Sequence, residues 1–363
     1  MDEPRDGLKG LPRVEVHRLG PGMSVAELVE VYRRSGAYQA GRLQQACRLF
    51  CKMLSDPEAT VALTLAGAMT PTGMGGALAT LIERGLLDVI ISTGANLYHD
   101  MHFALDMPLA QGNPDADDTV LHEQGIARIY DLYLTEETLL RTDEFVREVA
   151  SSLPVDRSIS TSRLHKELGD ALAARGCPDG VSLLASAARH GVPVYTSSPG
   201  DSSIGMNLAA LTLWDKGPVV DPSLDVLETT AIVYASARNG VVIVGGGSPK
   251  NFYLQTQPTL WQIVGIEKGG HDYDVQIGTE PPHWGGLSGA TPSEAVSWGK
   301  VNPEELPNSV VVYCDATIAL PMLAATALTE VGEREHRRLY ERRDDLLADL
   351  RRDALAVLSD GKS

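Results

Sequence analysis

Apolar, largely β-branched runs recur along the chain and each breaks off into small or polar residues: ATVALTLAG (59–67), DVIISTGAN (88–96), VPVYTSS (192–198), GVVIVGGG (240–247), YDVQIGT (273–279) and SVVVYCDAT (309–317). Continuous rather than alternating apolar character predicts strands covered on both faces. Amphipathic patterns lie between several of them, such as GGALATLIERGL after the first and SLLASAARHG before the third. That alternation implies crossover units, so the expected class is α/β, with a doubly wound, mostly parallel sheet and helices on both faces. Residues 24–54 read as helices capped by Ser24, with Glu27 three positions on. The charge-rich run from Glu333 to Leu358 carries leucines at 339, 346, 347, 350, 355 and 358, a spacing that suits one helix with a single apolar face in need of a partner. The expected division is a helical extension over 1–55, an α/β catalytic domain over 56–330 and a C-terminal helix over 331–363.

Composition changes this picture little. The chain has 363 residues, 43% of them hydrophobic, and no run approaches the apolar length of a membrane span. Its net charge of −17 argues against a nucleic-acid surface and favours cationic ligands. The first twenty residues lack the apolar core of a secretory signal, so a cytoplasmic location is expected. Cys47, Cys51, Cys177 and Cys314 show no paired metal spacing and are expected as reduced thiols.

Candidate chemistry collects after the strands, because ligands of doubly wound sheets sit beyond the carboxyl ends. The segments concerned are AGAMTPTGMGG, STGANLYHD, SSPGDSSIG, GGGSPKN, GTEPPHWGGLSG and CDATIA. Five of the six are rich in glycine, serine or threonine, which permits close backbone approach to a bulky polar ligand, although none has a standard nucleotide fingerprint. His99, Asp100 and His102, with His122, lack the spacing that puts two imidazoles on one helix face, so no metal is expected. Ser202 and Ser203 sit on no nucleophile elbow. In SGATPSEAVSWGK, Thr291-Pro292-Ser293-Glu294 has the form of a cap, a first-turn proline and a capping-box glutamate, and Gly299 ends the helix before Lys300. On pattern alone Lys300 reads as a charge balancing a helix terminus rather than as a reagent.

The order and spacing of STGAN, DSSIG, GGGSPK, EAVSWGK and CDAT resemble those of the deoxyhypusine synthase family, from the first strand to CDATIALP. The resemblance implies a Rossmann-like sheet, a homotetramer with sites at subunit interfaces, and NAD as cofactor. It implies that spermidine is oxidised beside its secondary amine, that 1,3-diaminopropane leaves, and that the aminobutyl group is held as an imine on Lys300 before passing to an acceptor amine. The acceptor is a protein lysine or, in a homospermidine-type reaction, a free diamine such as putrescine. By the same matching NAD would touch Gly67, Ala68, Met69, Thr70, Thr93, Gly94, Ala95, Asp201, Gly246, Thr279, Asp315 and Ala316. The polyamine would meet His99, Asn251, Gly286, Ser288, Glu294 and Trp298. A neutral lysine is needed for imine formation, so Lys300 is expected to be desolvated.

The chain departs from the family's eukaryotic pattern at four of these places. Leu287 and Met206 stand where acids are expected, Asn251 where a histidine is, and His99 where a glutamate is. Loss of two charge-assisted contacts weakens the case for the family's usual polyamine. Two other classes stay open at this point: an NAD-binding scaffold that has lost its reaction, and a metal-dependent amidohydrolase built on the His99 cluster.

Overall fold

The computed structural model describes residues 10–11 and 13–359. The opening nine residues of the stretch read for an export signal lie outside them. Six parallel strands make the central sheet: β1 (Ala59–Leu65), β2 (Val89–Ser92), β3 (Val194–Thr196), β4 (Arg238–Val244), β5 (Tyr273–Gly278) and β6 (Ser309–Tyr313). Their spatial order is β6-β5-β4-β1-β2-β3. This is the order of dinucleotide-binding sheets, in which the winding reverses between β1 and β4 and opens a crevice at their carboxyl ends. Leu63 registers with Ile90 of β2 on one side and Val242 of β4 on the other.

Every residue of β1 is buried, which explains why its sequence shows no alternation. The strand still has two faces. Val61, Leu63 and Leu65 pack with Phe50, Met53 and Leu323, whereas Ala62 joins Val241, Ile243, Tyr253 and Leu350 on the other side. The first layer is supplied by helices Tyr38–Ser55, Gly75–Glu83 and Ala316–Glu330, the second by Pro222–Ala235, Gly247–Leu254 and the C-terminal helix. The expected α/β architecture is thus observed. Ser24 caps helix Val25–Ser35 in a complete capping box with Glu27, the amide of Ser24 donating to Glu27 Oε2 at 2.6 Å. No helix among the described residues is long and apolar enough to cross a membrane.

Two elements differ from the sequence expectation. The run from Glu333 to Leu358 is helical only over Arg343–Ser359. Residues 333–342 instead form an irregular strap across the amino ends of β1, β2 and β3. Arg334 N donates to Arg84 O at 2.8 Å, the Arg337 guanidinium to Ala59 O at 2.9 Å and Tyr340 N to Gly191 O at 2.9 Å. These partners take up backbone groups of the strap outside a helix, and Gly332 and Arg338 adopt positive φ of 79° and 48°. Leu346 and Leu350 are buried in the second core beside helix Pro222–Ala235, so this part of the apolar face finds its partner within the chain, while Leu355 and Leu358 stay exposed. The second difference is a small antiparallel sheet, Ala110–Gln111, Ile126–Ile129 and Leu132–Thr135, formed by runs too short to stand out.

Candidate active site

Because the six strands are parallel, the segments that follow them share one edge. Gly67 (φ 65°) follows β1, and Gly245, Gly246 and Gly247 (φ 84°, 147° and 57°) follow β4, on either side of the winding reversal. The loops after β1 and β2 are tied together by Asn96, which is fully buried. Its side-chain oxygen accepts from Met69 N at 2.6 Å and Thr70 N at 3.2 Å, and its amide donates to Gly67 O at 3.0 Å. Thr93 caps helix Gly94–Ala104, and its hydroxyl donates to Gly67 O at 2.6 Å. Ala68 and Ala95 are half-buried within these loops. Gly94 is required by packing, since a Cβ there would lie 2.4 Å from that of Ser202.

Asp201, Thr279 and Asp315 are exposed at the same edge, beside the half-buried Ala316. Asp315 caps helix Ala316–Glu330, accepting from Thr317 N at 2.8 Å. The edge fits a dinucleotide: open glycine backbone at Gly67, helix Gly247–Leu254 without a side-chain cap, and the exposed carboxylates of Asp201 and Asp315, acceptors of the kind ribose hydroxyls need.

Gly246 also joins this edge to the segment that follows β5, because a Cβ on it would stand 2.7 Å from Ser288 Cα. Gly246→Ala is expected to lower stability by about 2–4 kcal/mol, through both its backbone angle and this clash. Gly67→Ala, whose Cβ would meet open space, should cost only about 1 kcal/mol. Urea denaturation of the two variants checks the ranking, and the reverse order would refute this account of the junction.

Below Ser288 lies a cavity of about 400 Å³, lined among others by Lys250, Asn251, Asp274, Gly286, Leu287, Glu294, Trp298 and Lys300. The segment after β5 makes two short 3-10 turns, Pro282–Trp284 and Leu287–Gly289, before helix Pro292–Val296. Thr291 caps that helix, accepting from Glu294 N at 3.2 Å. The return bond of a full capping box is absent among the described residues, so the Glu294 carboxylate is left to the cavity. Gly299 (φ 65°) turns the chain against the Trp261 indole, leaving no room for a side chain. Lys300 is then pinned by its own backbone: its amide donates to Ala295 O at 3.1 Å and its carbonyl accepts from His271 N at 2.9 Å.

The Lys300 side chain is half-buried. Nζ donates to Asn251 Oδ1 at 2.7 Å and lies 5.6 Å from the Trp298 ring centroid. Burial lowers its pKa and Glu294 opposes the shift. Beside it Lys250 is buried and donates to Gln276 Oε1 at 3.0 Å, to Leu287 O at 3.4 Å and to Ala290 O. Burial also lowers the Lys250 pKa, with Asp274 and Glu294 opposing and Lys300 reinforcing.

Asn251, Gly286, Glu294, Trp298 and Lys300 therefore share one cavity. Ser288 stands behind its wall, where its carbonyl accepts from Gln276 Nε2 at 3.0 Å. None of the residues proposed for the cofactor lines this cavity, and neither does His99. His99 Nδ1 lies 3.1 Å from His102 Nε2, and His102 Nδ1 2.8 Å from Thr142 Oγ1. Burial lowers both imidazoles, His102 to about 3. Asp100 is used to bind Ser182 Oγ and the amides of Leu183 and Leu184 at the start of helix Leu183–His190. Three buried polar residues were missed by sequence reasoning: Asn96, Lys250 and Asp274. The first two lie inside the motifs STGAN and GGGSPK, so position in a motif was their available signal.

The sequence pattern of the family described as deoxyhypusine synthase matches residues 27–327. The chain belongs to the deoxyhypusine synthase family. It is 48% identical to the "Deoxyhypusine synthase-like protein" of Cyanothece sp., over 93% of this chain and 88% of that one. It is 40% identical to the "Probable deoxyhypusine synthase 2" of Methanosarcina acetivorans, over 83% and 86% respectively. A solved structure from Entamoeba histolytica that carries the deoxyhypusine synthase name provisionally shares the fold, with a TM-score of 0.59 at 18% identity over 86% of this chain and 96% of that one. Membership of the deoxyhypusine synthase family makes a transferase of polyamine chemistry the broad functional class.

Proposed function

We propose that this chain transfers a 4-aminobutyl group from spermidine to an acceptor amine through an imine on Lys300. The carrying observation is the placement of Lys300 in a cavity with Glu294 and Trp298, its amine partly desolvated and its main chain fixed on both sides. Gly67, Thr93, Gly246 and Asp315 at the carboxyl edge would hold NAD, which would supply hydride acceptance from, and hydride return to, the carbon beside the secondary nitrogen. Neutral Lys300 Nζ adds to that oxidised carbon, and the carbon–nitrogen bond to the departing 1,3-diaminopropane breaks as the amine takes the proton. An acceptor amine then displaces Lys300 in the same way. Asn251 Oδ1 holds Nζ in line, Glu294 pairs with a substrate ammonium, and the Trp298 ring covers the methylenes.

The acceptor is a protein lysine or a free diamine such as putrescine. Leu287 on the cavity wall and Met206, exposed on helix Ser203–Leu213, are the positions where the family resemblance expects acids, which supports a shifted choice of amine. A homotetramer in the cytoplasm is part of the reading by family resemblance, and Trp261, Trp284 and Trp298, exposed around the cavity in one chain, offer a face for contact between copies. Incubation with spermidine, NAD and each acceptor, followed by mass spectrometry, is expected to show diaminopropane together with a new secondary amine. Borohydride added during turnover should leave a 4-aminobutyl group on Lys300. Absence of diaminopropane with every acceptor would overturn the proposal.

A further inference from the structure

The cavity holds a second carboxylate that the reaction above leaves unused. Asp274 is the second residue of β5, 1% exposed, and lines the cavity. Its direction follows from strand periodicity: Tyr273, Val275 and Ile277 join the first core, so Asp274 and Gln276 face the other side of the sheet. On β4 their registered neighbours are Val241 and Ile243, both apolar core residues. Asp274 Oδ1 has no hydrogen-bond partner. Lys250 is the nearby cation, but its ammonium is committed to Gln276, Leu287 and Ala290, and no ion pair with Asp274 forms among the described residues. Burial accordingly pushes the Asp274 carboxyl up to about 7, with Lys250 only partly opposing.

A buried carboxylate without a partner is strongly unfavourable in an apo chain, and a cation arriving through the cavity removes that cost. We infer that Asp274 is the inner anchor of the amine site, receiving one ammonium of a linear aliphatic polyamine whose remaining length runs past Trp298 toward Glu294 and Lys300. The inference rests on the proposed function and deepens it. Gln276 is excluded as the anchor because its amide is spent on Ser288 and Lys250. A metal ion is a poor occupant, since no group of three or more histidine, cysteine or acidic side chains converges among the described residues. With Lys300 neutral, as attack requires, the wall presents Asp274 and Glu294 against Lys250 alone, which selects a cation. Asp274 thus offers the cavity a carboxylate on β5 where Leu287 offers none.

Spermidine binding to the full-length protein, measured calorimetrically, tests this. Asp274→Asn should weaken spermidine about 10- to 100-fold while leaving NAD affinity unchanged. Its Tm should stay level or rise, because an unpartnered buried charge has been removed. Adding Leu287→Asp to that variant should recover part of the spermidine affinity. Equal spermidine affinity in wild type and Asp274→Asn would overturn the inference. So would a fall in Tm accompanied by an equal loss of NAD affinity, the mark of a structural role. Asp274-dependent binding without any adduct on Lys300 would leave this inference standing and sink the transfer reaction instead.

Discussion

Lys300→Ala should lose aminobutyl transfer by at least about a thousandfold, because the atom that carries the transferred group is gone. Lys300→Arg should be no better, since a guanidinium stays charged and cannot form the imine. Neither change should disturb folding, as the side chain is half-buried and makes one hydrogen bond, to Asn251. The pH profile supplies an independent check. Activity should rise with pH through the lowered pKa of Lys300, as the neutral amine appears. Glu294 holds that pKa up, so Glu294→Gln should move the rise to lower pH even as it weakens amine binding. Steady-state rates with matched thermal melts measure both effects, and retention of more than about a tenth of wild-type activity by Lys300→Ala would end the imine reading.

The second large effect is expected at the opposite end of the sheet. Asp88, 1% exposed just before β2, accepts from Val61 N at 2.8 Å and lies 3.5 Å from Arg334 and 3.6 Å from Arg337. Asp88→Ala should cost about 3–5 kcal/mol, read as a lowered urea midpoint, because it strands a buried amide and two partly buried guanidiniums. Asp88→Asn keeps an acceptor for Val61 and should lose less. An unchanged midpoint for the alanine variant would show that the strap adds nothing to stability.

The six main strands were legible because strands covered on both faces are written as unbroken apolar runs, and GVVIVGGG or YDVQIGT admits little else. The left-handed glycines at 245–247 mark the end of β4 in the same way. What escaped was decided by contacts far along the chain. The leucine at 339 fits a helical spacing, yet Arg334 and Arg337 find partners on β1 and at Asp88 just before β2, and those contacts override the local preference. The site shows the same limit. Lys300 was singled out through its motif, and the structure brings it together with Glu294 and Trp298, whereas His99 and the loops assigned to the cofactor do not share its cavity. Asp274 was hidden because an acid inside YDVQIGT reads as the start of a strand, and only the sheet's two faces reveal which side it takes.

The strap has one further consequence. Ala59 and Arg337 are bonded although 278 positions separate them. During synthesis the first strand leaves the ribosome long before the arginines that clasp its base. Until then Asp88 and the neighbouring strand ends stay uncovered, so the nascent chain must pass through a long unsealed stage in which a chaperone has its best opportunity to bind.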